Sequence, residues 1–137
     1  MNRRDLKDLS TVRLREAKVL YDAKCWDGAY YLAGYAVECA LKACIAKATP
    51  RYDFPAKERV NSSHTHNLPT LVRIADIESS RKTQYDADLD FRKYSDVTQK
   101  WSEQSRYTRI RRELADELLI AVSDRRHGII PWIKRHW

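Results

Sequence analysis

Apolar residues recur at helical spacing from the start of the chain. Positions 6, 9, 13, 17, 20 and 24 are separated by steps of three and four, and Leu6, Leu9 and Ala17 are apolar among charged neighbours. This spacing places side chains on one face of an α-helix. The pattern predicts a first helix that begins within Asp5–Ser10 and ends at about Lys24.

The second segment is apolar on nearly every face. Residues 29–46 combine many small side chains with larger ones such as Leu32 and Leu41, which is typical of a helix surrounded by neighbours on several sides. Asp27 precedes the run and is a suitable N-cap, and Thr49-Pro50 is expected to end the helix. We expect this helix to lie at the centre of the fold.

Shorter helices are predicted further along the chain. A polar loop at residues 50–66 is followed by apolar positions 68, 71, 72 and 75, which predict a short amphipathic helix with Pro69 in its first turn. Glu78–Arg81 is expected to break that helix, and residues 81–100 are expected to include another one.

The last part of the pattern predicts a turn followed by an interrupted helix. Ser102–Tyr107 is expected to be the turn, and the final helix is expected to start near Thr108. Proline lacks the N–H that continues a helix, so a kink or break is predicted around Gly128–Pro131.

Composition narrows the fold and function classes. The 137 residues contain only 3 glycines and 4 prolines, too few for the many turns of a β-sandwich or barrel. No Gly-rich phosphate loop is present, which excludes P-loop nucleotide hydrolases and dinucleotide dehydrogenases, and no cofactor is predicted. We predict a single all-α domain over residues 1–137.

The charge balance favours an anionic partner. Lys and Arg number 26 against 19 Asp and Glu, for a net charge of +7, and the surplus lies in residues 1–24 and 101–137. An excess of this size favours RNA, DNA or an acidic protein surface as partner.

Cysteine usage and hydropathy indicate the cellular compartment. Cys25, Cys39 and Cys44 are odd in number and include no C-x-x-C pair, so neither disulfides nor a zinc knuckle are predicted. No closely spaced His, Asp or Glu set predicts a metal site either. No apolar run approaches 18 residues and no signal peptide is evident, so we expect no membrane span and a cytoplasmic location.

Three sequence elements carry a resemblance to a known family. The segment AYYLAGYAVECALKA at residues 29–43 resembles the signature helix of HEPN domains. HNLPTL at residues 66–71 is similar to the His-Asp-Leu-x-x-Leu element of that family, with Asn67 in place of Asp, and SRY at residues 105–107 resembles the Arg-Tyr before the last helix. The three elements, in this order, cover most of the chain.

The resemblance implies a HEPN-like, up-and-down bundle of four to five helices that commonly forms a homodimer. Members of the family are often encoded beside small nucleotidyltransferases, in toxin–antitoxin or defence systems. Many are metal-independent ribonucleases with an Arg-x(4–6)-His motif near the last helix. Here the next histidine after Arg106 is the distant His127, and the formal matches pair Arg59 with His64 or His66 in the loop after the second helix.

Histidine and arginine are the residues from which an RNA site would be built. Imidazole transfers protons near neutral pH, and guanidinium holds phosphate through its bidentate fork. His66 stands beside a predicted helix start, where backbone N–H groups attract anions. We therefore take His66 and Arg106 as candidate catalytic residues, with Arg59 and His64 as the alternative. Each of these histidines could instead have a purely structural or solvated role.

Glu38 and two aromatic residues complete the candidate ligand-binding set. Glu38 lies among apolar residues, and a buried carboxylate needs a partner. Lys42 is one turn away, and an arginine such as Arg106 would be a stronger partner, which would make Arg106 a structural residue. Trp101 and Tyr107 are candidates for contact with a base, with core packing as the alternative.

Three functions remain open from the sequence. The first is a module that binds RNA, a nucleotide or a nucleotidyltransferase partner without strong catalysis of its own. The second is an active, metal-independent ribonuclease toxin, and the third is a structural dimerisation module. The missing Arg-x(4–6)-His spacing near the last helix favours the first function over the second.

Overall fold

The computed structural model of the chain describes residues 1–48 and 63–137, and this part is helical without any β-strand. The all-α fold class is therefore confirmed. The described residues form seven α-helices and one 3₁₀ helix, more than the four to five helices expected. They are α1 (Arg3–Asp22), α2 (Trp26–Ala48), α3 (Leu68–Ile74), α4 (Glu78–Ala87), α5 (Leu89–Gln99), the 3₁₀ helix η1 (Glu103–Tyr107), α6 (Arg112–Ser123) and α7 (Ile129–Lys134).

Helix α1 begins earlier than its apolar pattern predicts because a capping box lies upstream. The Asn2 side chain accepts a hydrogen bond from the Asp5 backbone N–H at 3.0 Å, and the Asp5 carboxylate accepts one from the Asn2 N–H at 2.9 Å. These reciprocal bonds satisfy two of the free donors of the first turn. The helix ends at Asp22, and the chain reverses through Lys24, which has a φ of 62°.

Helix α2 is the centre of the fold, as predicted. Twelve of its 23 residues are buried, and α1 packs closely along it, with the Ser10 hydroxyl donating to the Ala36 carbonyl oxygen at 2.7 Å. Asp27 is not its N-cap, because the helix already begins at Trp26. The Asp27 carboxylate instead accepts a hydrogen bond from the Ile110 backbone N–H at 2.6 Å, before α6. The predicted end at Thr49-Pro50 lies outside the described residues.

The short helix after the loop forms as predicted. Asn67 caps α3, with its side-chain oxygen accepting from the Thr70 N–H at 2.9 Å, and Pro69 lies in the first turn. The expectation that Glu78–Arg81 breaks the helix was wrong. The break lies at Asp76, with a φ of 61°, and Glu78 opens α4.

The C-terminal elements follow the predicted order with shifted bounds. The expected turn at Ser102–Tyr107 is the 3₁₀ helix η1, and the backbone is then extended at Thr108 and Arg111. The last long helix therefore begins at Arg112 and not near Thr108. The predicted break is present but lies earlier than Gly128–Pro131, since α6 ends at Ser123 and α7 begins at Ile129 with Pro131 in its first turn.

One hydrophobic cluster connects residues from α1 to α7, including Ala17, Leu41, Phe91 and Ile133. Along the described residues, no helix combines the length and apolar character needed to cross a bilayer.

Candidate functional site

Glu38 is a buried carboxylate on the central helix. Only 1 % of the Glu38 surface is exposed to solvent. Its Oε1 atom accepts hydrogen bonds from the Lys42 ammonium at 2.9 Å and from the Nδ1 atom of His66 at 2.9 Å. Lys42 is the predicted partner, one turn along α2. His66 comes from the segment before α3 and provides the second cationic or donor group that a buried carboxylate needs.

His66 is held from two directions. The Asn67 cap fixes the backbone beside it, and the Asn67 N–H donates in turn to the Thr65 hydroxyl at 3.1 Å. The bond to Glu38 fixes the imidazole and places the Nδ1 proton. The side chain is nevertheless 48 % exposed. Because Nδ1 is engaged, Nε2 is the ring nitrogen left to exchange a proton or contact a ligand.

A cleft of about 340 Å³ adjoins this imidazole. The residues that line it come from the start of α3 and the start of η1: Thr65, His66, Asn67, Trp101, Ser102 and Glu103. Two of the predicted candidates, His66 and Trp101, are thus brought together although they are 35 positions apart in the chain. Trp101 is only 4 % exposed and belongs to the hydrophobic cluster, so it packs in the core at the cleft's inner edge. The accessible groups of the cleft are an imidazole, hydroxyl groups and a carboxylate.

The Trp101 indole packs directly against the backbone of α2 at Gly34, where the absence of a side chain leaves room for the ring. A Cβ atom on Gly34 would lie 2.2 Å from the indole, including its Nε1 atom. The indole Nε1 and the Glu38 Oε2 atom are both buried without a hydrogen-bond partner among the described residues. Leaving such groups unpaired is costly, so each would gain from a water or ligand atom that reached it.

Arg106 does not neutralise Glu38, so that expectation was wrong. Arg106 is exposed near the end of η1, and its guanidinium lies 4.9 Å from the centre of the exposed Tyr107 ring. The phenol group of Tyr107, followed by that of Tyr31, raises the pKa of Arg106. Neither Arg106 nor Tyr107 lines the cleft, but four residues of a 3₁₀ helix cover about 8 Å. Arg106 therefore lies within side-chain reach of a ligand that extends from Ser102 along η1.

Only one member of the alternative pair, His64, lies in the described part of the chain. Arg59 lies outside the described residues. His64 is exposed and does not line the cleft beside His66. Of the predicted catalytic residues, His66 therefore has the surroundings of an acid–base group, and Arg106 has those of a surface anion contact.

Sequence reasoning missed the pairing of Glu38 with His66. Both were candidates, but 28 positions separate them, and a residue pair that depends on tertiary packing has no signature in helical spacing. The sequence also predicted no metal site, yet the fold brings Asp88, Asp90 and His127 together, with ligand atoms within 4.8 Å of one another.

No protein-family model, curated protein or solved structure matches this chain. Function is therefore inferred from the chemistry of the cleft and from the sequence elements that border it. Those elements are the segment before α3 with His66 and the segment at the start of η1 with Ser102 and Glu103.

Proposed function

We propose that this chain is a HEPN-like helical module that binds RNA or a nucleotide through a phosphate placed in the cleft between His66 and η1. The observation that carries the proposal is the bond from His66 Nδ1 to the buried Glu38. It holds the imidazole at the cleft wall with Nε2 free, beside the Trp101 ring. An exposed imidazole and a nearby guanidinium suit the phosphate of a nucleotide.

The charge distribution supports an anionic ligand. The chain carries +7 overall, and the negative charge of Glu38 is offset by Lys42. Arg106 is exposed and has no carboxylate bound to it among the described ion pairs. Among the described residues that line the cleft, Glu103 is the acidic one, and its carboxylate should repel a bound phosphate.

Measuring RNA affinity at several salt concentrations tests this proposal. Arg106→Ala should weaken binding and reduce the salt slope by about one charge, while its melting temperature stays unchanged because the side chain is exposed. Glu103→Gln should strengthen binding. Arg125→Ala is the matched control, because it removes the same charge from an exposed position. Arg106 precedes α6 and Arg125 follows it, and this helix is about 18 Å long. Equal weakening by Arg125→Ala would show that binding is a diffuse charge effect and would contradict the proposal.

The second candidate function is metal-independent cleavage of RNA, and the Glu38–His66 pair favours it. His66 Nε2 would take the proton of a ribose 2′-hydroxyl while the 2′-oxygen attacks the adjacent phosphorus. The bond to the 5′-oxygen breaks, the 5′-hydroxyl gains a proton, and a 2′,3′-cyclic phosphate remains. Glu38 is a positioning residue here, since it selects the imidazole tautomer and stabilises the cation that forms.

Cleavage is distinguished from binding by two conservative variants. His66→Asn should abolish cleavage in the presence of a chelator even at RNA concentrations that saturate the variant, and Glu38→Gln should slow cleavage and change its pH profile. Cyclic-phosphate ends on the products identify the reaction. Intact RNA with the wild-type protein, together with Arg106-dependent binding, supports the first function and contradicts the second.

The partners proposed from the family resemblance are a second copy of the chain and a small nucleotidyltransferase, in a toxin–antitoxin or defence system. Exposed apolar side chains on α1 and α6, among them Val19 and Ile120, favour self-association. Light scattering at micromolar concentration should give a dimer mass, and a monomer mass contradicts this. A dimer that binds no RNA and cleaves none would support the purely structural module.

A further inference from the structure

Three potential metal ligands lie close together outside the cleft. Asp88 caps the start of α5, Asp90 lies in its first turn, and His127 lies in the connection between α6 and α7. One ligand atom from each lies within 4.8 Å of the other two. His127 is 39 positions from Asp88, so this arrangement is made by tertiary packing.

The Asp88 carboxylate is fixed by four hydrogen bonds. Its Oδ1 atom accepts from the backbone N–H groups of Asp90 and Phe91, both at 3.0 Å. Its Oδ2 atom accepts from the Gln84 amide at 3.2 Å and from His127 Nδ1 at 2.6 Å. Asp88 thus determines both the tautomer and the orientation of the His127 ring.

The backbone beside His127 is equally constrained. The Asp124 carboxylate accepts from the N–H groups of Arg126 at 3.0 Å and His127 at 2.9 Å. Gly128 follows, and a Cβ atom there would lie 2.3 Å from the Asp124 carbonyl oxygen. The tight turn therefore needs glycine at this position, and it presents His127 to the start of α5.

The free nitrogen of His127 faces a second carboxylate. Nε2 lies 3.8 Å from Asp90 Oδ2, which is too far for a hydrogen bond. Two ligands of a tetrahedral Zn²⁺ ion, each about 2.1 Å from the metal, are about 3.4 Å apart. The Asp90 side chain is 64 % exposed, so it can move the few tenths of an ångström required.

We propose that His127 Nε2 and Asp90 Oδ2 bind a divalent transition-metal ion of the Zn²⁺ type, with Asp88 fixing the imidazole through Nδ1. Metal-bound histidines commonly donate their other N–H to a carboxylate in this way, and imidazole with carboxylate suits Zn²⁺ better than Mg²⁺. Water completes the coordination. The ion joins the start of α5 to the α6–α7 connection, independently of the function proposed for the cleft.

Zinc titration of the chelator-treated protein tests the site, by calorimetry and by the shift in melting temperature. We expect one Zn²⁺ per chain and a higher melting temperature. Asp90→Asn changes an exposed side chain and so keeps the fold; it should weaken Zn²⁺ binding at least tenfold, and Asp88→Asn should weaken it about 10- to 100-fold. His127→Gln should abolish it.

Asp86→Asn and His64→Ala are matched controls at exposed positions outside the trio, and Cys25→Ser removes the exposed thiol; all three should bind Zn²⁺ as the wild type does. Binding that survives both Asp90→Asn and His127→Gln would overturn the proposal, because the ion would then lie elsewhere. Absence of Zn²⁺ binding to the wild type would overturn it too, and would leave the trio as an ion pair.

Discussion

The indole of Trp101 lies directly on the backbone of Gly34, where a Cβ atom would come within 2.2 Å of the ring. The segment that carries the cleft residues Trp101, Ser102 and Glu103 is therefore seated on α2 at a position that admits no side chain. The same face of α2 carries Glu38 one turn later. This contact fixes the distance between the two walls of the cleft.

Gly34→Ala should destabilise the protein by about 1–3 kcal/mol, because the new methyl group must displace the indole. Gly28→Ala, in the first turn of the same helix, is the matched control: its Cβ would meet only the flexible end of Leu20 at 3.0 Å, so a gain of up to about 1 kcal/mol in helix propensity is expected. Chemical denaturation measures both. In a Trp101→Ala background, Gly34→Ala should cost little; an unchanged cost there would contradict the contact.

Leu41→Asp should lower the free energy of unfolding by several kcal/mol. Leu41 is 1 % exposed at the centre of α2, so the substitution buries a carboxylate without a partner. Leu89→Asp is the control, since Leu89 is 74 % exposed at the start of α5 and the change should stay within about 1 kcal/mol. Equal melting temperatures for the two variants would show that α2 is not central.

Of the three cysteine thiols, only that of Cys25 should react rapidly with a disulfide reagent in the native protein. Cys25 is exposed, whereas Cys39 and Cys44 are buried. Burial, with the nearby Glu38 carboxylate, raises the pKa of Cys39 to about 11, and burial raises that of Cys44 to about 11. Roughly one in a thousand of these thiols is ionised at pH 8. Cys25→Ser should remove the fast reaction, and denaturant should expose the other two thiols. Rapid reaction of three native thiols would contradict the buried positions.

The neutral form of His136 should contribute to the free energy of unfolding, and acidification should remove this contribution. Burial, followed by repulsion from Arg135 and Lys47, lowers the pKa of His136 below 6.5. The folded state therefore favours the neutral ring, which contacts Trp132. This contribution is present above pH 6.5 and decreases as the pH falls from there through the lower pKa of the folded protein. His136→Gln should lose less stability than the wild type between pH 7.5 and 5.5. The exposed His64→Gln serves as control, and an identical pH dependence of His136→Gln and wild type would refute the assignment.

Local patterns predicted the helices well where one face is apolar. The central position of α2 followed from its apolar surface, and α3 from its four apolar positions and Pro69. The bounds failed where the apolar pattern does not decide them. The Asn2 capping box starts α1 before its apolar stripe begins, and α4 begins at Glu78 without a side-chain cap and without a buried face.

The sequence predicted which residues form the candidate site but not which of them bind each other. His66 and Trp101 line the cleft, and the buried Glu38 binds His66 and not Arg106. Electrostatics alone favoured the arginine, whereas the position of η1 leaves Arg106 at the surface. Contacts of this kind depend on how helices pack, and neither residue spacing nor composition contains that information.

Helix α4 differs from its neighbours in that none of its residues, Glu78–Ala87, is buried. Opening α4 alone would break its internal hydrogen bonds and side-chain contacts such as Arg81 with Ser95, Tyr85 with Asp96 and Ser80 with His136. It would uncover the half-buried Tyr85, which packs against the hydrophobic cluster, but α4 contributes no buried residue of its own. Its amide protons should therefore exchange with deuterium through local opening, far faster than those of α2, which require global unfolding. The bundle thus contains a segment that can unwind and re-form while the remainder, including the cleft, keeps its structure.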